Sequence, residues 1–290
     1  MSDPLYRGAL YILLSELLLV LSGISIRLLS AELPNEVIVF SRNMVALLLL
    51  LPWLLKGGRQ RIRTQRLNFH LMRAAVGVCA MYCLYYSWAH LPLAEAALFK
   101  QTAPFFIPLI AAIWLGEAIP WVARGAIILG FTGIALILNP NLETIHPVAL
   151  IALGGAFLSA LAKVTIRRMA DTEPSVRIVF YFALFTSFFS ALPAALNWIS
   201  PSLNGWSLIL LMSALSTGAQ LSLSHAYSLA PAGRLGPFTY SSILFATLLG
   251  WLIWGESLSL ITLSGMIVVI AAGILAVADR LRRQSPRKRL

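Results

Sequence analysis

What constrains this chain most is the length of its uninterrupted apolar runs. Stretches of roughly 18 to 23 residues, almost all aliphatic, aromatic or small, follow one another with only short polar links between them. A helix rises 1.5 Å per residue, so one such run spans ~30 Å, the thickness of the hydrocarbon core of a bilayer. The runs are continuously apolar rather than alternating, which predicts helices and not barrel strands. With 59% hydrophobic and 11% charged residues, the chain also lacks the polar surface that a soluble fold of this length needs. The expected fold is all-α integral membrane, with ten transmembrane helices at 8–30, 35–55, 68–90, 93–115, 120–139, 147–166, 178–199, 205–229, 234–254 and 258–279. The first run is too long for a signal-peptide core and lacks a cleavage site, so it is kept as a helix.

Charge placement gives the orientation. With the N-terminus in the cytoplasm, 17 of the 22 Lys and Arg lie on the inner side, five lie within helices, and the outer connections carry Glu32, Glu143 and Glu256. An even number of crossings follows, with both termini cytoplasmic. The formal charge of +11 is concentrated in the 56–66 loop and the 280–290 tail. Without a soluble fold to present it, it reads as a topology signal and a contact to membrane lipids, and no nucleic acid is expected. No G-x4-G-K-[ST] loop is present, so no ATPase sits in this chain. Cys79 and Cys83 both fall inside one apolar run, so no disulfide framework is implied.

The two halves echo each other. Leu115-Gly116-Glu117 is followed by Gly125 and Gly133, and Trp254-Gly255-Glu256 by Gly265 and Gly273. Five spans per half is an odd number, so the second copy must be mounted upside down. The expectation is two inverted five-helix repeats, at 1–140 and 147–279, with a basic cytoplasmic tail at 280–290. Secondary transporters with a site near the membrane midplane are built this way.

Several motifs carry a family resemblance. They are Arg42-Asn-Met-Val-Ala46, Leu71-Met-Arg73-Ala-Ala-Val-Gly77, Leu91-Pro-Leu-Ala-Glu95-Ala, Thr102-Ala-Pro104, Leu229-Ala-Pro231-Ala and the two Gly-Glu pairs. With them the chain resembles the drug/metabolite transporter superfamily, in its EamA-type branch of ten-helix permeases. The resemblance implies a central cavity formed by helices 1–4 and 6–9, with helices 5 and 10 as outer braces. The first half is also similar to S-adenosylmethionine-type uptake carriers. Lys100-Gln101 departs from the small or aliphatic residues usual at that place.

Charges inside spans mark candidate sites, because a central Arg, Lys or Asp costs about 2.5–3.5 kcal/mol on insertion scales. Arg27, Arg73 and Lys163 stand within reach of helix ends and are expected to snorkel to the interface. Arg42 and Lys100 lie deeper, where a binding or gating role competes evenly with a structural one. Glu16 is the one carboxylate clearly inside, and it shares a helix face with Gly23 and Arg27. It is expected either to line the cavity as a coupling group or to sit in a static ion pair. Ser213, Ser216, Gln220, Ser224 and Tyr227 form a polar stripe on helix 8, with Gln220 the preferred ligand contact. Gln101, Tyr82, Tyr85, Tyr86, Tyr181 and Tyr240 complete the candidate cavity, where aromatic walls could stack on a substrate. Pro104 and Pro108 should bend helix 4 as a hinge or a fixed kink. Cys79, Cys83 and His90 share a face, but small buried cysteines are the commoner explanation; neither a metal nor a cofactor is expected. His225 beside Ser224 lacks an orienting third group, so no catalytic residues are expected.

Function is accordingly read as a secondary active transporter that moves a small organic metabolite by alternating access. The substrate is amino-acid-like, zwitterionic or drug-like, the membrane is the bacterial inner membrane, and export is the favoured direction. Uptake of S-adenosylmethionine or a similar metabolite is the alternative. An intramembrane enzyme or lipid-handling protein is the competing class. Monomer and homodimer both stay open.

Overall fold

The computed structural model describes residues 4–55, 63–116, 118–119, 121–137, 147–169, 172–173, 175–229 and 235–284. Its elements are α1 (Pro4–Leu29), α2 (Asn35–Leu55), α3 (Leu67–His90), α4 (Leu93–Lys100), α5 (Ala103–Leu115), α6 (Trp121–Ile137), α7 (Pro147–Met169), α8 (Ser175–Leu196), α9 (Leu203–Leu229), a 3-10 turn (Gly236–Tyr240) leading into α10 (Ser241–Trp254), and α11 (Leu260–Gln284). Counting α4 with α5, and the 3-10 turn with α10, the described residues form ten rods. Among the described residues, and counting α4 with α5, six helical rods are long and apolar enough to cross a membrane: Pro4–Leu29, Leu67–His90, Leu93–Trp114, Pro147–Ile166, Arg177–Leu196 and Leu203–Leu223. Short links force neighbouring rods antiparallel, so the bundle has a near face, where α1 begins, and a far face, where it ends.

One expectation needs correction. Residues 93–115 are not one continuous helix but α4 and α5, separated by a turn at Gln101–Thr102. Pro104, in the first turn of α5, has no N–H to reach the Lys100 carbonyl, so an unbroken ladder through this point is impossible. Bonds of the tighter i to i+3 type fill the turn, from Thr102 N–H to the Phe99 carbonyl (3.0 Å) and from Phe105 N–H to the Thr102 carbonyl (2.9 Å). Pro108 stays inside α5. At the corresponding place in the second half, the 3-10 turn precedes α10. Both halves thus put an irregular backbone at the same point of the fourth rod.

Packing follows an exchange pattern that two equivalent halves require. α1 packs along α9 as α7 packs along α3; α2 meets α8, and α6 meets α11. Swapping the halves maps each contact onto another or onto itself, which is an approximate two-fold relation. The repeated sequence features take matching roles. Gly116 (φ 67°) and Gly255 (φ 65°) each end their helix in the left-handed region, where a Cβ would be strained. Gly133 of α6 faces the Gly265 carbonyl and Val269 of α11, so the small residues are the seam along which the two outer helices touch.

The core is asymmetric through the bundle. One contiguous cluster fills the far half and middle, with Val20, Leu29, Val37, Leu93, Phe99 and Ile209 among its members. Towards the near face it gives way to two separate clusters. Ala9, Ile12, Ala226 and Leu235 form one, and Ala103, Ile110, Ala156, Ala160 and Val164 form the other. Among the described residues the core is thus one body at the far face and in the middle, and two separate clusters towards the near face.

The seam predicts a paired outcome. A Cβ at Gly133 would fall 2.8 Å from Val269 Cγ2 and 2.9 Å from the Gly265 carbonyl oxygen, whereas one at Gly125 meets nothing within 4 Å. Gly133→Leu should lower the thermal unfolding midpoint of the detergent-solubilised protein, by an overpacking penalty of about 1–3 kcal/mol. Gly125→Leu should leave the midpoint close to wild type.

Candidate functional site

The division in the core ends at a charged cluster. Glu16 lies halfway along α1 and is 4% exposed. Lys100, the last residue of α4, places its Nζ 3.2 Å from Glu16 Oε2. Gln101, in the turn that breaks the rod, donates from Nε2 to the Thr239 carbonyl (2.8 Å) and to Ser242 Oγ (2.8 Å), with Glu16 Oε2 at 3.4 Å. Ser242 Oγ passes its own proton to the Thr239 carbonyl at 3.1 Å. The two irregular points of the fourth rods therefore meet each other, and α1 meets both. The break in the backbone is what lets two consecutive residues, Lys100 and Gln101, reach the same carboxylate.

Around this centre α1 and α9 are stitched by small polar groups. Ser15 Oγ donates to the Ala219 carbonyl at 2.8 Å, and Ser22 Oγ shares a hydrogen bond with Ser216 Oγ at 2.8 Å. Of the helix 8 stripe, now α9, Ser216 thus faces α1 and serves packing, while Ser213 is buried with no hydrogen-bond partner for its hydroxyl among the described residues. Gln220 follows Ser213 by seven residues, two turns on the same face, yet it is exposed. The side chains of Ser224 and Tyr227 lie outside the described residues.

Lys163 is the residue whose sequence reading changes most. Ala149, Ala156 and Lys163 are spaced by sevens on α7; the alanines are buried, 5% and 0% exposed. Lys163 continues that inward face, is exposed, and lies within electrostatic range of Lys100 and Glu16. That register, with the proximity of Lys100 and Glu16, relates it to the charged cluster. Arg73 does not snorkel to the lipid interface. It is 9% exposed, donates to the Ile178 carbonyl at 2.8 Å and lies 4.2 Å over the Phe182 ring, pinning α3 to α8.

At the far face, Glu256 ties three elements. It pairs with Arg27 at the end of α1 and accepts the Leu93 N–H that begins α4 at 2.8 Å, while the Arg27 guanidinium stacks 4.2 Å over Trp254. Glu32 accepts the Ser202 hydroxyl at 3.0 Å just before α9. At the near face the equivalent loop carboxylate, Glu173, accepts the Thr64 hydroxyl at 2.5 Å just before α3. The hydroxyl–carboxylate clasp is thus repeated on opposite faces. Glu173 also takes Arg177 Nη1 at 2.9 Å and sits 3.8 Å from His70 Nε2. Burial pushes the Glu173 carboxyl up, but the Thr64 and Arg177 hydrogen bonds, with the Arg177 and His70 charges, outweigh it and hold the carboxyl below its ordinary value.

Of the residues expected to line the site, Glu16, Lys100 and Gln101 come together. Tyr181 stacks 4.6 Å from the His70 ring in the near-face cluster. Tyr240 is 5% exposed and its hydroxyl is pressed against Gly273 of α11, where any side chain would collide with it. Arg42 and Tyr85 are electrostatic neighbours between α2 and α3, and Arg42 donates to Asn43 Oδ1 at 3.1 Å. Among the described residues Arg42 has no ion-pair partner. Tyr82 presents a buried hydroxyl without a bonded partner among the described residues, and Tyr86 stacks on His90 with ring centres 4.0 Å apart. Neither tyrosine touches the cluster through a described hydrogen bond.

Comparison with known proteins agrees with this architecture. The profile of the EamA-like transporter family matches residues 6–139 and again residues 146–278. A pseudopaline exporter of Pseudomonas aeruginosa is 30% identical over 275 residues, covering 94% of this chain and 96% of that protein. A riboflavin transporter of Vibrio cholerae is 27% identical over 228 residues, 77% of this chain and 76% of that protein. An S-adenosylmethionine uptake transporter of Rickettsia bellii is 24% identical over 258 residues, 89% and 88% of the two chains. A solved crystal structure superimposes with a TM-score of 0.65 at 18% identity, over 98% of this chain and all of that one, a likeness of fold. Matched twice by one profile along nearly its whole length, this multi-pass membrane protein belongs to the EamA-like transporter family, within the drug/metabolite transporter superfamily.

Proposed function

We propose that the protein is a secondary active transporter of a small organic metabolite, working by alternating access around the Glu16–Lys100–Gln101 cluster. The observation that carries this reading is the divided core. Apolar packing is continuous on the far side of the cluster and split into two bodies on its near side. An enzyme or lipid-handling protein would need a catalytic constellation at one depth, and the cluster's groups are arranged for exchange of partners instead. Glu16 is held by a lysine and an amide, both of which a substrate or a proton can replace.

In this reading residues 1–140 and 147–279 are the two inverted repeats, and 280–290 is the basic tail. The near face is cytoplasmic and the membrane is the bacterial inner membrane, as the basic residues of the near-face loops support. The structure then corresponds to the inward-open state. To open outward, the far-face contacts of Glu256 with Arg27 and Leu93, and of Glu32 with Ser202, must release while the two near-face clusters close on each other. The turn at Gln101–Thr102 is the natural pivot, with Pro104 and Pro108 following it in α5. Export is the favoured direction, supported by the 30% identical exporter. The substrate class is amino-acid-like, zwitterionic or drug-like.

Two measurements test this. In proteoliposomes with an imposed pH gradient, Glu16→Gln should abolish gradient-driven substrate accumulation while leaving the folded helix content intact; wild-type accumulation and pH response would remove Glu16 from coupling. Glu256→Gln removes the charge that Arg27 pairs with, so hydrogen–deuterium exchange at residues 88–96 should rise relative to wild type. Unchanged protection there would show that the far-face contact does not hold this side shut.

A further inference from the structure

We infer that Lys163 and Lys100 together form the receptor for an anionic substrate carrying one more carboxylate than ammonium group, with Glu16 occupying Lys100 until that substrate arrives. The inference rests on the transporter reading of the same site and adds its charge specificity.

Three observations combine. First, Lys163 continues the buried face of α7 that Ala149 and Ala156 define, yet it is exposed while lying deep within the bundle. That register sets it beside Ala156, Ala160 and Val164 of the second near-face cluster, with Lys100 and Glu16 in electrostatic range. Second, Lys163 has no carboxylate within ion-pair distance among the described residues, whereas Lys100 is held by Glu16 at 3.2 Å. An ammonium group within a membrane span and without a counter-ion is expensive, and it persists where function supplies the partner. Third, Lys163 is within electrostatic range of both Lys100 and Glu16, so the three act as one charged set. Two ammonium groups and one carboxylate leave a surplus of one positive charge.

The complement of that set is a molecule with two carboxylates and one amine. One carboxylate neutralises Lys163. The second takes Lys100 by displacing Glu16, and the freed Glu16 oxygen accepts the substrate's ammonium group or a proton. No covalent step is involved; three charge-assisted contacts replace one. A neutral or cationic metabolite fits less well, because binding it leaves Lys163 uncompensated. Selection by net charge would thus be set largely by a single residue of α7.

The test uses the full-length protein in detergent and measures thermal stabilisation by amino dicarboxylates, namely iminodiacetate, glutamate and N-carboxymethyl amino acids. Each is compared with its monoamide, which has the same shape and one charge less. Wild type should be stabilised by at least one dicarboxylate at concentrations on the order of tenfold below its amide. Lys163→Gln should erase the difference, and Lys163→Arg should keep it. If no dicarboxylate acts, if amides act equally well, or if Lys163→Gln still discriminates, the inference is overturned. Counterflow in proteoliposomes separates it from the reading beneath it. Charge-selective binding without flux would remove transport and retain the receptor. Flux of a neutral metabolite undiminished by Lys163→Gln would retain transport and remove the receptor.

Discussion

The ion pair between Glu16 and Lys100 is the interaction on which the rest of this structure depends. Two charges in the hydrocarbon zone are each costly, and neither can be solvated by lipid. The fold answers with geometry. A broken fourth rod brings Lys100 and Gln101 to the carboxylate, and the matching irregularity in the second half supplies the Thr239 carbonyl and Ser242 that hold Gln101 in place. Replacing both charges with apolar residues would make a simpler bundle, and such exchanges are often neutral or stabilising. Retaining the pair makes sense where its partners are meant to be exchanged.

The same constraint explains how the bundle is held elsewhere. Three carboxylates at the two faces join elements across the molecule: Glu256 to α1 and α4, Glu32 to the start of α9, Glu173 to the approach to α3. The last two are the same clasp in the two halves, on opposite faces. An inverted repeat built from such contacts has two alternative ways to close, and similar energies for each follow from the equivalence of the halves. Far-face closure, with a continuous core beneath it, is the arrangement seen here.

Much of this was legible in the sequence, and what was not has a common cause. Apolar run length gives the rods, and the Gly-Glu repeats give the two equivalent halves, because both are properties of the sequence along the chain; the α6–α11 seam at Gly133 emerges only from tertiary packing. Glu16 stood out for the cost of its charge. Periodicity, however, tells which residues share a face and not what that face meets. Lys163 was therefore assigned to the interface on distance from the helix end, although its spacing from Ala149 and Ala156 would have placed it inward. Arg73 was assigned the same way, and only tertiary packing shows Phe182 and the Ile178 carbonyl waiting for it. Tyr240 and Tyr181 looked like cavity walls because aromatic residues serve either role, and the structure turns them to Gly273 and His70. The break at Gln101–Thr102 was hidden because Pro104 reads equally as a kink within a helix and as the first turn of a new one.

The central claim is that two bodies rock about the Glu16 cluster so that one face opens only as the other closes. Pulsed electron–electron distance measurements in nanodiscs test it most directly, with spin labels on Arg7 and Arg168 at the near face and, separately, on Ala31 and His90 at the far face. The account predicts two populations for each pair, and substrate or pH should shift them in opposite senses, the near-face distance shortening as the far-face distance lengthens. A single unresponsive distance at both faces, or distances that lengthen together, would contradict it.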